Sequence, residues 1–292
     1  MNTRGPWILW GREFDSPLLL ASGTAGYGLR LMKMDCLKGV AAVISKATTL
    51  TPRPGNPPPR IVETRFGLLN SVGLANPGVD AVLEEILPDA EAMPVPLIVN
   101  VAGETVEEFA SVVERLEASG VPFGYEINVS CPNVAAGGAV FGASPKTVEE
   151  VAGTVRAASS RPFSLKLTPN EGSITEAAAA AEEGGADAVT VCNTFLGMRM
   201  DWRTGETPLK RRVGGYSSPA LLPMTVARVH LTSEAVNIPV LASGGVSRPE
   251  DVLELLAAGA AMVEVGTWLM RRPGAGSELM QGIRRLLDQR SG

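Results

Sequence analysis

Eight short apolar runs separated by amphipathic stretches of helical period predict an α/β fold, a closed (β/α)8 TIM barrel. Several runs are apolar almost throughout, as strands buried on both faces of a parallel sheet must be. The runs also end in lysine, asparagine, serine and glycine, a polar set that a closed barrel would gather at one mouth. With 292 residues, 45% of them hydrophobic, the chain can fill one large core, so residues 1–292 are read as a single domain.

The elements follow in order. Trp7-Ile8-Leu9-Trp10-Gly11-Arg12-Glu13-Phe14 reads as a small N-terminal hairpin placed to cover the barrel bottom. Pro17–Gly23 and Ala41–Thr48 are the first two strands, and Thr51–Asn76 is an insertion rich in Pro, Gly and Asn. Pro96–Gly103, helix Val106–Ala118 and strand Gly124–Ser130 come next, then a long loop and helix Thr147–Ala158. Strand five is Pro162–Thr168, its helix Ile174–Gly184, and strand six Ala188–Thr194. Leu196–Ser218 is a third long insertion with a hairpin turn expected at Thr204-Gly205-Glu206. Strand seven is Pro239–Val246. Ser247 then reads as the N-cap of helix Pro249–Gly259, with Glu250 reaching back and Gly259 as the stop. Met262–Trp268 closes the barrel. The long loops after strands 2, 4 and 6 belong to the C-terminal face, where barrel enzymes hold their sites.

Bulk properties narrow the function classes. With 26 basic against 31 acidic residues the net charge is −5, which argues against nucleic-acid and anionic-membrane partners. Three dispersed cysteines, with no Cys-x-x-Cys, give no metal, iron–sulfur or disulfide framework. No apolar stretch approaches a membrane span, and a cytoplasmic location is expected. His230 is the one histidine and sits in a helical run far from any strand end, so Ser–His and Cys–His triads are excluded.

The strand ends carry the chemistry. They are Ser22, Lys46, Asn100, Asn128, Lys166, Asn193-Thr194, Ser243-Gly244-Gly245 and Gly266-Thr267. The two glycine turns after strands seven and eight suit a phosphate held by backbone amides, or simply tight turns. A lysine ending a buried strand serves as a cation for an anionic ring or carboxylate, as a Schiff-base nucleophile, or in a structural ion pair. Asn70, Asn100, Asn128, Asn133 and Asn193 offer paired donors and acceptors suited to a planar heterocycle, though asparagines also serve as loop caps. Cys131 lies between two of these amides, in Asn128-Val129-Ser130-Cys131-Pro132-Asn133, and reads as a general base, a nucleophile or a buried inert thiol, its polar setting weighing against the last. Cys36 falls in a helix-like segment and Cys192 within strand six. Both read as structural.

Assembled, these residues resemble the dihydroorotate dehydrogenases, and more narrowly their class 1B catalytic subunit. The resemblance runs from about Pro17 to the final helix. Its most specific stretches are Ser45–Thr49, Leu69–Gly78, and Asn128–Val134 continuing through Gly137-Gly138 to Phe141-Gly142. Val191–Thr194, Gly244–Val246 and Val265–Thr267 agree as well. The resemblance implies FMN bound at the strand ends by Ser22, Lys46, Ala47, Asn100, Asn128, Lys166, Cys192, Ser218, Gly244, Gly245, Gly266 and Thr267. It implies dihydroorotate and orotate held by Lys46, Asn70, Ser71, Val72, Gly73, Leu74, Asn128, Asn133, Asn193 and Thr194. Cys131 falls on the family's catalytic base, with Lys46 and Lys166 as further catalytic groups.

One departure stands out. The family usually reads Gly-Gly-Leu-Ser-Gly-Pro where this chain has Gly214-Gly215-Tyr216-Ser217-Ser218-Pro219, so Ser218 would be strained if the site requires a positive φ. The resemblance also implies a homodimeric core and a partner subunit carrying FAD and a [2Fe–2S] cluster that passes electrons to NAD. Other readings are a fumarate-dependent class 1A activity, a flavoenzyme for another dihydropyrimidine, a non-redox phosphate-binding barrel enzyme, and a non-catalytic flavin scaffold.

Overall fold

The computed structural model describes residues 5–130 and 141–289. Cys131 and Asn133 therefore lie outside the described residues.

The chain opens with a two-stranded hairpin, β1 (Trp7–Leu9) against β2 (Arg12–Phe14), with Trp7 opposite Phe14. Its two-residue turn, Trp10-Gly11, has positive φ at both positions, a geometry that matches the twist of paired strands. Trp7, Leu9 and Phe14 point inward, and the rings of Trp10 and Phe14 both pack on Phe123 just ahead of the fourth barrel strand. The hairpin thus covers the N-terminal end of the barrel, as expected.

Eight parallel strands close the barrel: β3 (Leu18–Leu20), β4 (Ala42–Ile44), β7 (Leu97–Val101), β8 (Gly124–Asn128), β9 (Phe163–Lys166), β10 (Ala188–Val191), β13 (Val240–Ser243) and β14 (Met262–Val265). Each falls inside one of the apolar runs, and β14 pairs with β3 to close the ring. The helices between them bury one stripe each. In Val106–Glu117, Phe109, Val112, Val113 and Leu116 recur at helical spacing and are buried. Thr105 caps that helix by accepting from the Glu108 N–H, and the Glu108 carboxylate reaches back to the N–H of Glu104.

Helix Pro249–Ala257 begins at the expected proline, but its N-cap lies one residue later than the sequence reading placed it. Arg248 is the N-cap, and Asp251, not Glu250, reaches back: its Oδ2 accepts from the N–H groups of Ser247 (2.8 Å) and Arg248 (2.9 Å) and from Ser247 Oγ. Pro249 sets this register, because proline is accommodated best at the first helical position, where its missing N–H leaves nothing unsatisfied. Cys36 is a second correction. The helix preceding it ends at Lys33, and Cys36 lies in the turn beyond, half-buried.

The two long insertions are not separate loops. They supply β5 (Ile61–Glu63), β6 (Leu68–Asn70), β11 (Phe195–Met198) and β12 (Val213–Ser217), which form one antiparallel sheet in the order β11-β12-β6-β5. The hairpin between β11 and β12 is much wider than a turn at residues 204–206, although Gly205 does bend the chain there at φ 71°. This sheet roofs the C-terminal mouth of the barrel.

At the opposite end, a Cβ added to Gly124 would sit 2.6 Å from both the Pro162 carbonyl oxygen and the Trp10 ring. Gly124→Ala is expected to lower stability by about 1–3 kcal/mol through overpacking, read as a shift of the urea midpoint at unchanged slope.

Candidate active site

Between the strand ends and the roof lies a cavity of about 1040 Å³. That is at the upper end of the ~300–1,000 Å³ typical of small-molecule sites, room for more than one ring system. Most of the residues expected to bind ligand converge on it. The strand-end loops contribute Ser22, Lys46, Ala47, Asn128, Lys166 and Cys192. The roof contributes Asn70 through Leu74 and Ser218, and the loop after β10 contributes Asn193 and Thr194. Gly244, Gly245, Gly266 and Thr267 line the side under β13 and β14. Asn100 does not reach the wall: it is fully buried, and its Nδ2 donates to Glu126 at 2.7 Å.

The turn after β13 requires glycine. Gly245 has φ 86°, and a Cβ there would lie 2.6 Å from the Leu222 Cα. Gly266 differs: a Cβ there would meet only the Ala21 side chain, at 3.5 Å. Its lack of a side chain keeps space open at the start of the short helix Thr267–Arg271. A backbone-lined recess of this kind fits a phosphate.

Lys46 follows β4 and is half-buried. Burial, and then the positive charge of Arg60, hold its pKa below the usual lysine value. Among the described residues the Lys46 ammonium has neither an ion pair nor a hydrogen bond. Arg60 in turn braces the insertion, donating to the carbonyls of Asn56 and Pro54. Asn56 holds Ser71 through both its carbonyl and its hydroxyl, each at 3.0 Å. Three of the five expected amides line the cavity: Asn193 Nδ2 approaches Asn128 Oδ1 at 3.4 Å, and Asn70 Nδ2 donates to the Gly215 carbonyl at 3.1 Å.

Lys166 is not a free cation. It is buried inside the barrel, its Nζ lying 3.2 Å from Glu126 Oε1 and 3.0 Å from Glu264 Oε2. Burial alone would lower its pKa, but the two carboxylates outweigh that and hold the ammonium above its ordinary range. The Glu264 carboxyl shifts upward, first from burial and then from the charge of Glu126, with Lys166 opposing. Keeping an ordinary carboxyl protonated at neutral pH costs roughly 4 kcal/mol. Burying an uncompensated charge costs several kcal/mol as well, so the local donors decide the charge state. Sequence reasoning missed both glutamates. The signal was present in Tyr125-Glu126-Ile127 and Val263-Glu264-Val265, each a lone carboxylate inside a buried apolar strand.

Cys192 is buried beside this cluster, and burial pushes its thiol up to about 12, against the pull of Arg228 and Lys166. It is a poor base at neutral pH. His230 is exposed on its helix, 3.7 Å from Glu234, away from the cavity.

The chain matches the family model for dihydroorotate dehydrogenase over residues 7–287. The chain belongs to the dihydroorotate dehydrogenase family. A relative from Bacillus pumilus, named dihydroorotate dehydrogenase B (NAD(+)), catalytic subunit, is 42% identical over 277 residues, covering 95% of this chain and 89% of its own. A protein of the same name from Thermoanaerobacter pseudethanolicus is also 42% identical, covering 95% and 91%. Among solved structures, dihydroorotate dehydrogenase from Eimeria tenella in complex with ferulenol superposes with a TM-score of 0.80 over 96% of this chain and 84% of that one. At 22% identity this likeness speaks for the barrel fold.

Ser218 is not strained. Its φ is −159°, ordinary extended backbone, so the condition under which it would be strained, a positive φ, is not met. Its Oγ accepts from the Ala220 N–H at 3.1 Å and donates to the Phe66 carbonyl at 2.8 Å, joining the end of β12 to the turn before β6. Ser218→Ala is expected to cost about 1–2 kcal/mol, the loss of a helix cap and a hydrogen bond, measured by chemical denaturation.

Proposed function

We propose that this chain is the catalytic subunit of an NAD-linked dihydroorotate dehydrogenase, oxidising dihydroorotate to orotate in pyrimidine biosynthesis with FMN as its cofactor. The observation that carries this reading is one cavity lined by a backbone-walled recess, an unpaired Lys46, a group of amides and a buried ammonium, in a chain of this family. Such a donor set fits a ring with a phosphate tail and a second, carboxylated ring beside it. Gly245, Gly266 and Thr267 would hold the phosphate. Asn128 and Lys166 would face the ring, together with Ser22 and Ala47. Lys166 would set positive charge under it, a preorganised electrostatic contribution. FMN, when bound, supplies a hydride acceptor.

The remaining work falls to the chain itself. Lys46 and the amides of Asn70, Asn128, Asn133 and Asn193, with Thr194, hold the substrate ring and its carboxylate. Cys131 removes the proton from ring carbon 5 while a hydride leaves ring carbon 6. Cys192, with its raised thiol pKa, does not compete for this role. Electrons then pass to NAD through a partner subunit carrying FAD and a [2Fe–2S] cluster, around a homodimeric core. Among the described residues, no helix is long and apolar enough to cross a membrane.

The purified protein is expected to be yellow and to bleach anaerobically on addition of dihydroorotate. A colourless protein that takes up no FMN would overturn the reading, and a yellow one that dihydroorotate does not bleach would point to another substrate. Cys131→Ala is expected to slow bleaching by about two decades or more, the usual worth of a general base, with FMN retained. Flavin reduction at the wild-type rate would remove Cys131 from the mechanism.

The roof gives a separate test of substrate placement. A Cβ on Gly215 would fall 1.9 Å from Thr194 Oγ1. Gly215→Ala should therefore displace Thr194 and raise the orotate Kd at least about tenfold, or ~1.4 kcal/mol, with FMN content unchanged, as followed by titration calorimetry.

A further inference from the structure

Glu126, Lys166 and Glu264 carry two potential negative charges and one positive charge inside the barrel. Their hydrogen bonds are unequally shared. Glu126 accepts from Asn100 Nδ2 at 2.7 Å, from Thr190 Oγ1 at 3.1 Å, and from Lys166 Nζ on both oxygens at 3.2 and 3.4 Å. Among the described residues, Glu264 accepts one bond, from Lys166 to Oε2 at 3.0 Å. Its other oxygen, Oε1, is buried and meets no donor among them. Both oxygens of Glu126 therefore face donors, whereas Glu264 has a donor on one oxygen alone. An oxygen without a donor is better filled by a proton of its own, which turns an unsatisfied acceptor into a donor. Glu126 is within hydrogen-bonding reach of Glu264 to receive it. Glu264 also lines the cavity, although it is only 1% exposed.

We propose that Glu264 is carried as a neutral carboxylic acid whose proton is shared with Glu126, and that it acts as a positioning residue keeping the Lys166–Glu126 pair at zero net charge beneath the FMN ring. The part concerning FMN rests on the function proposed above. The part concerning the proton does not.

The groups facing Glu264 are few. From β8 comes Glu126, from β9 Lys166, and from the turn after β10 the Cys192 thiol. Its register partners, Ser243 on β13 and Leu19 on β3, are not titratable. Below the raised Glu264 pKa the floor is neutral. As the pH rises through that pKa, the proton is lost and the floor gains one negative charge, which opposes an electron-rich ring above it.

Infrared spectroscopy of the wild-type protein with ¹³C-labelled glutamate tests the proton directly, with or without FMN. A protonated carboxylic C=O band at neutral pH is expected, shifted by the label and absent in Glu264→Gln. No such band, or one that survives in Glu264→Gln, overturns the proposal. The second measurement is FMN affinity against pH. Wild-type affinity should fall about tenfold on the alkaline side, one pKa unit of coupling. Glu264→Gln, neutral at every pH, should match wild type at neutral pH within about threefold and lack that component, since an amide mimics the protonated acid. An identical alkaline fall in both proteins overturns the positioning role. Failure of both to bind FMN counts against the proposed function, while the infrared result still decides where the proton sits.

Discussion

One ammonium holds the inside of this barrel together. Lys166 on β9 reaches Glu126 on the neighbouring strand and Glu264 on β14, so it ties strands that are far apart in the chain. Without a cation there, two carboxyl groups would face each other in a dry interior, where each charge costs several kcal/mol. Apolar residues of similar volume would be at least as stable, since buried ion pairs seldom repay their desolvation. The cluster instead forms the polar floor of the cavity, and the lysine, the amides and the glycine turns are arranged above it. Stability here is given up to hold a charge beneath the cavity.

Much of the frame was legible because it rests on the simplest signals. Each barrel strand lies within an apolar run, since a strand buried on both faces admits little else. Helix Val106–Glu117 could be read from the helical spacing of its apolar positions. The N-cap of helix Pro249–Ala257 was misplaced by one residue because Asp251 and Glu250 are both able to reach back, and only the preference of proline for the first helical position separates them.

The roof was illegible for a different reason. Its strands are three to five residues long, and in β12 the pair Gly214-Gly215 interrupts the alternation and weakens the strand signal of Val213 and Tyr216. Those glycines belong to the pairing, because a Cβ on Gly214 would strike the Asn70 carbonyl oxygen at 2.4 Å. Ser218 misled in the same way. Comparison with a glycine leaves open a left-handed backbone, but the serine adopts an extended one and uses its hydroxyl to cap and to bridge. The role of Lys166 was only half visible, because its partners stand 40 and 98 residues away and nothing local announces them.

The pairing of β6 with β12 places Asn70 opposite Gly215, 145 residues further along the chain. Such a contact cannot form early, because the loop it closes is long and its few hydrogen bonds return little against that entropy. Once the barrel has closed, the two insertions project from the same rim, and the effective loop shrinks to the distance between their bases. The roof therefore depends on the closed barrel to bring its two halves together. Catalytic competence in this chain arrives after the barrel itself is complete.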